Sequence, residues 1–247
     1  MSGSTGRVFL AQTASLKVDP NATWTYAVNH RDVIDAHWRM AIAANPNFFN
    51  GTIHVLTRMH VTDGHFDATL APTDFKNFLY WRDEGFPQEA RVKDAFGSAL
   101  IHSREGYIIL GRQRPGNINE GQAYLPGGFI DHRDVTVEGT VDLRASVARE
   151  VAEETGLGPN ELAPGEGFIV TDVHPHVSFA VPYTSHLSAD ELVARIRSHI
   201  ATEADPELAE PVVLKSPADI EGRSVTHYAR ALLASPLPWT TRRPGDE

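Results

Sequence analysis

The stretch LPGGFIDHRDVTVEGTVDLRASVAREVAEETGL, Leu125 to Leu157, decides how the rest of the chain is read. Its last nine residues, REVAEETGL, place Glu150, Glu153 and Glu154 at helical spacings of three and four, so the three carboxylates share one face. They repel one another there, and near a helix C-terminus they also oppose the macrodipole. Folding energetics alone would not select this pattern, which points to a cation. Hard divalent ions take oxygen ligands, and Mg²⁺ is usually held by a few carboxylates while water and substrate phosphates fill its other positions. Upstream, Pro126-Gly127-Gly128 permits a sharp turn and a close backbone approach, so a glycine carbonyl can join the carboxylates. Thr140 or Asp142 can cap a helix running to about Thr155, with Leu143, Val147 and Val151 on its buried side and Gly156 ending it.

Working outward, such a helix needs a sheet to pack on. AFGSALIH and YIILG read as two strands around the turn Ser103–Gly106, and GFIVTDV with HVSFAVPY as a further pair. Ser188 and Glu191 form a capping box ahead of Leu192, Val193, Ile196 and Ile200, so a second long helix follows. Leu208 to Leu214 is a short strand, placed at an edge by Pro211, and Thr226 to Ala234 a last helix before a fraying tail. Before this region, residues 30–44 carry an amphipathic helix ended by Asn45-Pro46. Two alternating runs about Asp63-Gly64 form a hairpin, and Thr73 can cap a short helix that stops near Gly85. The first twenty-odd residues give no clear element. The organisation expected is a small N-terminal α+β module over 1–92 and an α/β domain over 93–247.

With 22 Lys+Arg against 32 Asp+Glu, the formal net charge of −10 argues against nucleic acid or an anionic membrane as the main partner. Cysteine is absent, which removes disulfides, thiolate metal sites and thiol nucleophiles. No apolar run is long enough to span a bilayer and the start, MSGSTGRVFL, has no signal-like apolar core, so a cytoplasmic protein is expected.

At the central stretch the sequence resembles the Nudix hydrolases, whose box reads G-x5-E-x7-R-E-U-x-E-E-x-G-U with U apolar. Arg149, Glu150, Val151, Glu153, Glu154, Gly156 and Leu157 fill its second half, and Gly128 resembles its first glycine. Gly128 and Arg149 stand 21 apart where the box has 14, which implies a seven-residue insertion within FIDHRDVTVEGTV. The box's separate glutamate is out of register, and Asp142 or Glu138 is the expected substitute, ion-paired to Arg149. The N-terminal module with NPNFFNGTIHVL, the polar segment before LPGG and the enlarged box resemble the UDP-sugar pyrophosphatase-like branch.

The resemblance implies an α/β/α sandwich around a mixed sheet, and Mg²⁺- or Mn²⁺-dependent hydrolysis of a nucleoside diphosphate derivative. The product would be a nucleoside monophosphate and a phosphorylated partner, and nucleotide sugars, ADP-ribose-like and coenzyme A-like compounds are the candidate substrates. Metal ligands would be Glu150, Glu153, Glu154 and the Gly128 carbonyl. Glu153 or a later-loop glutamate, Glu207 or Glu210, would be the base, with Glu153 and Glu210 taken forward. Arg149 would orient the glutamates. The partner would be a small nucleotide, with no nucleic acid or membrane, and a homodimer is the assembly considered.

Blander readings stand beside these. The glutamates could be a solvated face with Arg149 paired to Glu153 at i+4, worth a few tenths of a kcal/mol. Arg112 and Arg114 could grip a diphosphate or be ordinary strand-end arginines. His174 and His176, two apart in HPH, lack a soft third ligand and suit a surface or substrate-lining role. Trp38, Phe48, Phe49, Phe75, Phe78, Tyr80 and Trp81 could stack a base, but core or dimer contact is their commoner use. Rival functions are a non-catalytic nucleotide sensor on the same fold, an interaction protein working through its N-terminal module, and an isopentenyl-diphosphate-type isomerase, which would call for the missing cysteine.

Overall fold

A computed structural model describes residues 6–240. In chain order the elements are β1 (Arg7–Ala11), β2 (Thr13–Val18), α1 (Thr25–Asn29), α2 (Arg31–Ala44), β3 (Thr52–Thr62), β4 (His65–Asp74) and α3 (Phe75–Asp83). Then come β5 (Lys93–His102), β6 (Ile108–Gln113), β7 (Ala123–Tyr124), α4 (Leu143–Thr155), β8 (Leu162–Pro164), β9 (Phe168–Val173) and β10 (His176–Ser185). The chain closes with α5 (Ala189–Thr202), β11 (Leu208–Leu214) and α6 (His227–Ala234).

The strands form one mixed sheet that forks at β5. One edge of β5 pairs in parallel with β10, from Asp94↔His176 to His102↔Thr184. Its other edge is shared: Lys93 and Asp94 pair with β3, whereas Ile101 and His102 pair with β6, which continues to β11. From β3 the first arm runs through β4 to β2. The β3–β4 hairpin turns on Asp63 and Gly64, both at positive φ, as a two-residue turn matching strand twist requires.

Adjacent residues of a strand face opposite sides, and β5 shows what each side carries. The Phe96 ring lies 4.7 Å from Tyr228 of α6. The next residue, Gly97, faces α4, where an added Cβ would come within 2.5 Å of the Val147 side chain. Helices therefore cover both faces, giving the α/β/α layering.

Residues 7–18, which show no clear element in sequence, form two strands on one continuous segment. β1 pairs with β9 on one side of the sheet, and β2 pairs in parallel with β4 at the end of the other arm. The N-terminal segment thus curls the sheet upon itself. Phe66 of β4 meets Phe179 of β10 with ring centroids 4.8 Å apart, inside a core that also holds Leu16 and Val147. Truncating a side chain as sealed as Phe179 costs about 3–5 kcal/mol. A second cluster, with Trp24, Ile34, Phe78 and Trp81, lies under α2 and α3. Residues 1–92 accordingly own one cluster and share the other. Part of the tail is docked: Pro238 accepts a hydrogen bond from His102 Nε2 at 2.7 Å, while 241–247 lie outside the described residues.

Candidate active site

α4 is built to hold a fixed orientation. Asp142 caps it, its carboxylate accepting from the Ala145 N–H at 3.0 Å. Leu143, Val147 and Val151 pack into the core. At the other end Gly156 adopts φ 68°, a conformation that favours glycine, and a Cβ there would strike the His199 ring. His199 Nε2 donates to the Glu153 carbonyl at 2.9 Å, so α5 helps to terminate α4.

The three glutamates of α4 occupy different environments. Glu154 is 5% exposed; one carboxylate oxygen accepts a long 3.4 Å bond from Gly127 N–H, and Oε2 is buried with no partner. Burial, then the neighbouring charges of Glu207 and Glu150, raise its carboxyl well above the usual range. Glu150 bonds Arg149 at 2.5 Å, but burial, reinforced by Glu153 and Glu207 and opposed by Arg149, raises it to about 7. Glu153 is half exposed, 3.4 Å from Arg149 and 3.7 Å from Arg133. Burial is the first cause at both Glu150 and Glu154, and neighbouring carboxylates add to it.

Neither Asp142 nor Glu138 pairs with Arg149. Asp142 is spent as the helix cap, and Asp134 takes the arginine instead, at 2.8 Å through Oδ1, with its side chain 2% exposed. Its other oxygen accepts from Asp131 N–H, closing a capping box around the turn His132–Asp134. Burial opposes the Arg149 charge, yet Asp134, Glu150 and Glu153 outweigh it and hold the guanidinium more firmly protonated than usual. Beyond this turn the extra residues lie on β2: Val141 N–H bonds Leu16 O at 2.9 Å and Val18 N–H bonds Gly139 O at 2.8 Å. The insertion both supplies the partner of Arg149 and ties α4 to the N-terminal strand.

A cavity of about 1090 Å³ opens beside this helix, and Gly127, Gly128, Glu150 and Glu207 line it. A Cβ at Gly128 would stand 2.4 Å from Glu150 Oε2, so a side chain there would displace that carboxylate. From Gly128 an aromatic wall leads away: Phe129 lies 4.9 Å from Phe78 and 6.0 Å from Phe75, which lies 5.8 Å from Phe48. Of the seven aromatic residues singled out, Phe48, Phe49, Phe75 and Phe78 line the cavity, while Trp38, Tyr80 and Trp81 do not.

Glu207 rather than Glu210 faces this space. The residue is exposed and lines the cavity, and the protein close around its carboxyl, then Glu153 and Asp205, raises its pKa. Glu210 lies past a register shift in β11 and bonds Arg112 at 2.9 Å on the far side of the strand. Arg112 also donates to Gly121 O, and Arg114 pairs with Asp205 at 2.5 Å; Gln113 between them lines the cavity and they do not. The cavity's guanidinium groups are Arg82 and Arg133, which lacked any distinguishing spacing in sequence.

Among the described residues, no three His, Asp or Glu side chains converge as a ready-made metal site. Glu150 is turned to Arg149 and Glu153 outward. The donors nonetheless fit a hard divalent ion. All are oxygens, one buried carboxylate oxygen has no partner, and the carboxyls raise one another's pKa. A cation would gather these ligands rather than find them gathered.

No family model matches the chain, and no curated protein matches it. Among solved structures it is similar to the MutT protein of Methanosarcina mazei Go1, at 24% identity over 57% of this chain and 91% of that one, TM-score 0.37. It is similar also to the Nudix hydrolase RenU of M. smegmatis, at 14% identity over 57% of this chain and 80% of that one, TM-score 0.36. A third is the NUDIX domain of Shewanella oneidensis NrtR complexed with ADP ribose, at 17% identity over 63% of this chain and 94% of that one, TM-score 0.37. Likenesses this loose leave the activity to be judged from the site.

Proposed function

We propose that the chain is a Nudix hydrolase that cleaves the diphosphate linkage of a nucleoside diphosphate derivative to a nucleoside monophosphate and a phosphorylated product, using Mg²⁺ or Mn²⁺. The observation that carries the reading is the cavity wall, on which Gly128, Glu150 and Glu207 stand beside an aromatic track leading from Phe129 through Phe75 to Phe48. Such a wall offers carboxylates for a metal-bound diphosphate and ring faces for a base, at a volume near the upper end of usual ligand cavities.

A divalent ion held by Glu150, Glu153, Glu154 and the Gly128 carbonyl would neutralise the diphosphate and acidify a bound water. The chain's own residues do the rest. Arg149, anchored by Asp134, restrains Glu150 and sets where its carboxylate points. Glu207, open to the cavity and with its pKa moved toward neutrality, is placed to take the proton of the attacking water in preference to Glu210. Arg133 lines the cavity, where Asp131 holds it at 2.7 and 2.9 Å, and is the cation that would meet a phosphate; Arg112 and Arg114 do not line the cavity. Nucleotide sugars, ADP-ribose-like and coenzyme A-like compounds all satisfy these requirements.

The test is incubation of purified protein with Mg²⁺ and a panel of those three classes, followed by detection of nucleoside monophosphate. Metal-dependent release from at least one is expected. No release from any would overturn the hydrolase reading.

A further inference from the structure

The reading above leaves unused a hydrogen-bonded pair on the cavity wall. His176 opens β10 and Asp94 lies opposite it on β5, and both line the cavity that holds Glu150. His176 Nδ1 stands 3.0 Å from Asp94 Oδ2. A carboxylate only accepts, so Nδ1 carries the proton and Nε2 is left to exchange a hydrogen bond with a ligand. Nε2 makes no hydrogen bond among the described residues, and His176 lines the cavity. The same holds for Asp94 Oδ1.

Both groups are held in place. Asp94 N–H bonds Pro175 O at 2.9 Å, which fixes the start of the β5–β10 ladder. Phe86, Phe96 and Tyr228 surround the imidazole, their ring centroids 5.6, 5.9 and 6.1 Å away. Phe96 also bridges to Phe129, next to Gly128, and Asp94 lies two residues earlier on the strand. The bridge sets Asp94 two strand steps, about 7 Å, from the level of Phe129. A phosphate itself has no proton to give Asp94 and would meet its charge. A carboxylate beside an imidazole suits two adjacent hydroxyls, each of which can donate or accept.

We propose that Asp94 and His176 form a hydroxyl-reading subsite that takes the vicinal diol of a sugar carried by the diphosphate substrate. The inference rests on the hydrolase reading for the identity of the ligand, and it is tested without hydrolysis. The diol is that of the nucleoside or that of the second, phosphorylated moiety, and the two are separable by product titrations. Calorimetry in Mg²⁺ would use AMP and UMP, each against its 2′,3′-dideoxy form, and ribose 5-phosphate against 2-deoxyribose 5-phosphate.

For one of these sets the wild type should bind the diol about tenfold more tightly than the deoxy form. In Asp94→Asn and His176→Phe the diol ligand should weaken about tenfold, to the level of its deoxy form, which should itself be unchanged. His176→Gln, which retains an acceptor, should recover part of the preference and separates hydrogen bonding from packing. Equal weakening of both forms, no change in either variant, or no diol preference in the wild type would each overturn the proposal. A diol preference without turnover would overturn only the hydrolase reading, and turnover without a diol preference only this one.

Discussion

α4 and α5 are of nearly equal length, 13 and 14 residues, and they pack against one another, yet they are made on opposite plans. α5 follows the rules for a stable helix. Ser188 and Glu191 close a reciprocal capping box, Asp190 and Glu191 face the positive end of the dipole, and His199 sits at the negative end. α4 has no acidic residue in its first turn and no basic residue in its last, where Glu153 and Glu154 stand instead. Its deficits are made good from outside, by Asp134 on the insertion, by His199 on α5 and by Gly127. A helix that departs from its own interests, and is propped by its neighbours, is one whose side chains serve something other than folding.

The largest test of that contrast removes the awkward charges. Glu150→Gln or Glu154→Gln should lower metal-dependent turnover on the order of a hundredfold or more. In the absence of metal each variant should melt at the wild-type temperature or slightly above, since like charges are relieved. Equal losses of activity and stability would place these glutamates among ordinary structural residues. Asp134→Asn attacks the prop instead: it leaves Arg149 with Glu150 and Glu153 only, and should cost about 2 kcal/mol in urea unfolding, less than a fully buried pair because Arg149 is partly exposed. A change within a few tenths of a kcal/mol would show that the insertion does not hold the helix.

On α5 the same logic predicts a purely structural response. Ser188→Ala should cost about 1 kcal/mol and leave kcat and KM untouched. The smallest effect concerns pH and lies away from both helices. Burial lowers the His102 pKa, with the hydrogen bond to the Pro238 carbonyl only partly opposing it. The folded state therefore binds fewer protons than the unfolded one, and this contribution is complete above about pH 6.5 and lost as pH falls toward the depressed folded value. His102→Gln should flatten the acid side of the stability–pH curve, and an unchanged slope would contradict the assignment.

The sequence disclosed α4, the glycine turn, the β3–β4 hairpin and the α5 cap, because each rests on spacing within a short window. It did not disclose β1 and β2, whose run from Arg7 to Val18 has little alternation and gains its meaning only by pairing with β9 and β4. Asp134 was hidden for a similar reason: it lies fifteen residues before Arg149, and only the folded insertion brings the two together. Glu207 and Glu210 are indistinguishable by composition. Their places separate them: Glu207, just before β11, lines the cavity, whereas Glu210, within the strand, bonds Arg112. Arg112 and Arg114 failed by alternation, since Gln113 between them takes the inward place.

The central claim, that α4 holds its glutamates for a cation, is met most directly by thermal unfolding of the wild type and of Glu154→Gln during titration with Mg²⁺. At a hundredfold excess over the dissociation constant the wild-type midpoint should rise by about 5 °C or more, and that of Glu154→Gln should stay nearly flat. A wild-type midpoint indifferent to Mg²⁺, or an equal rise in both proteins, would contradict it.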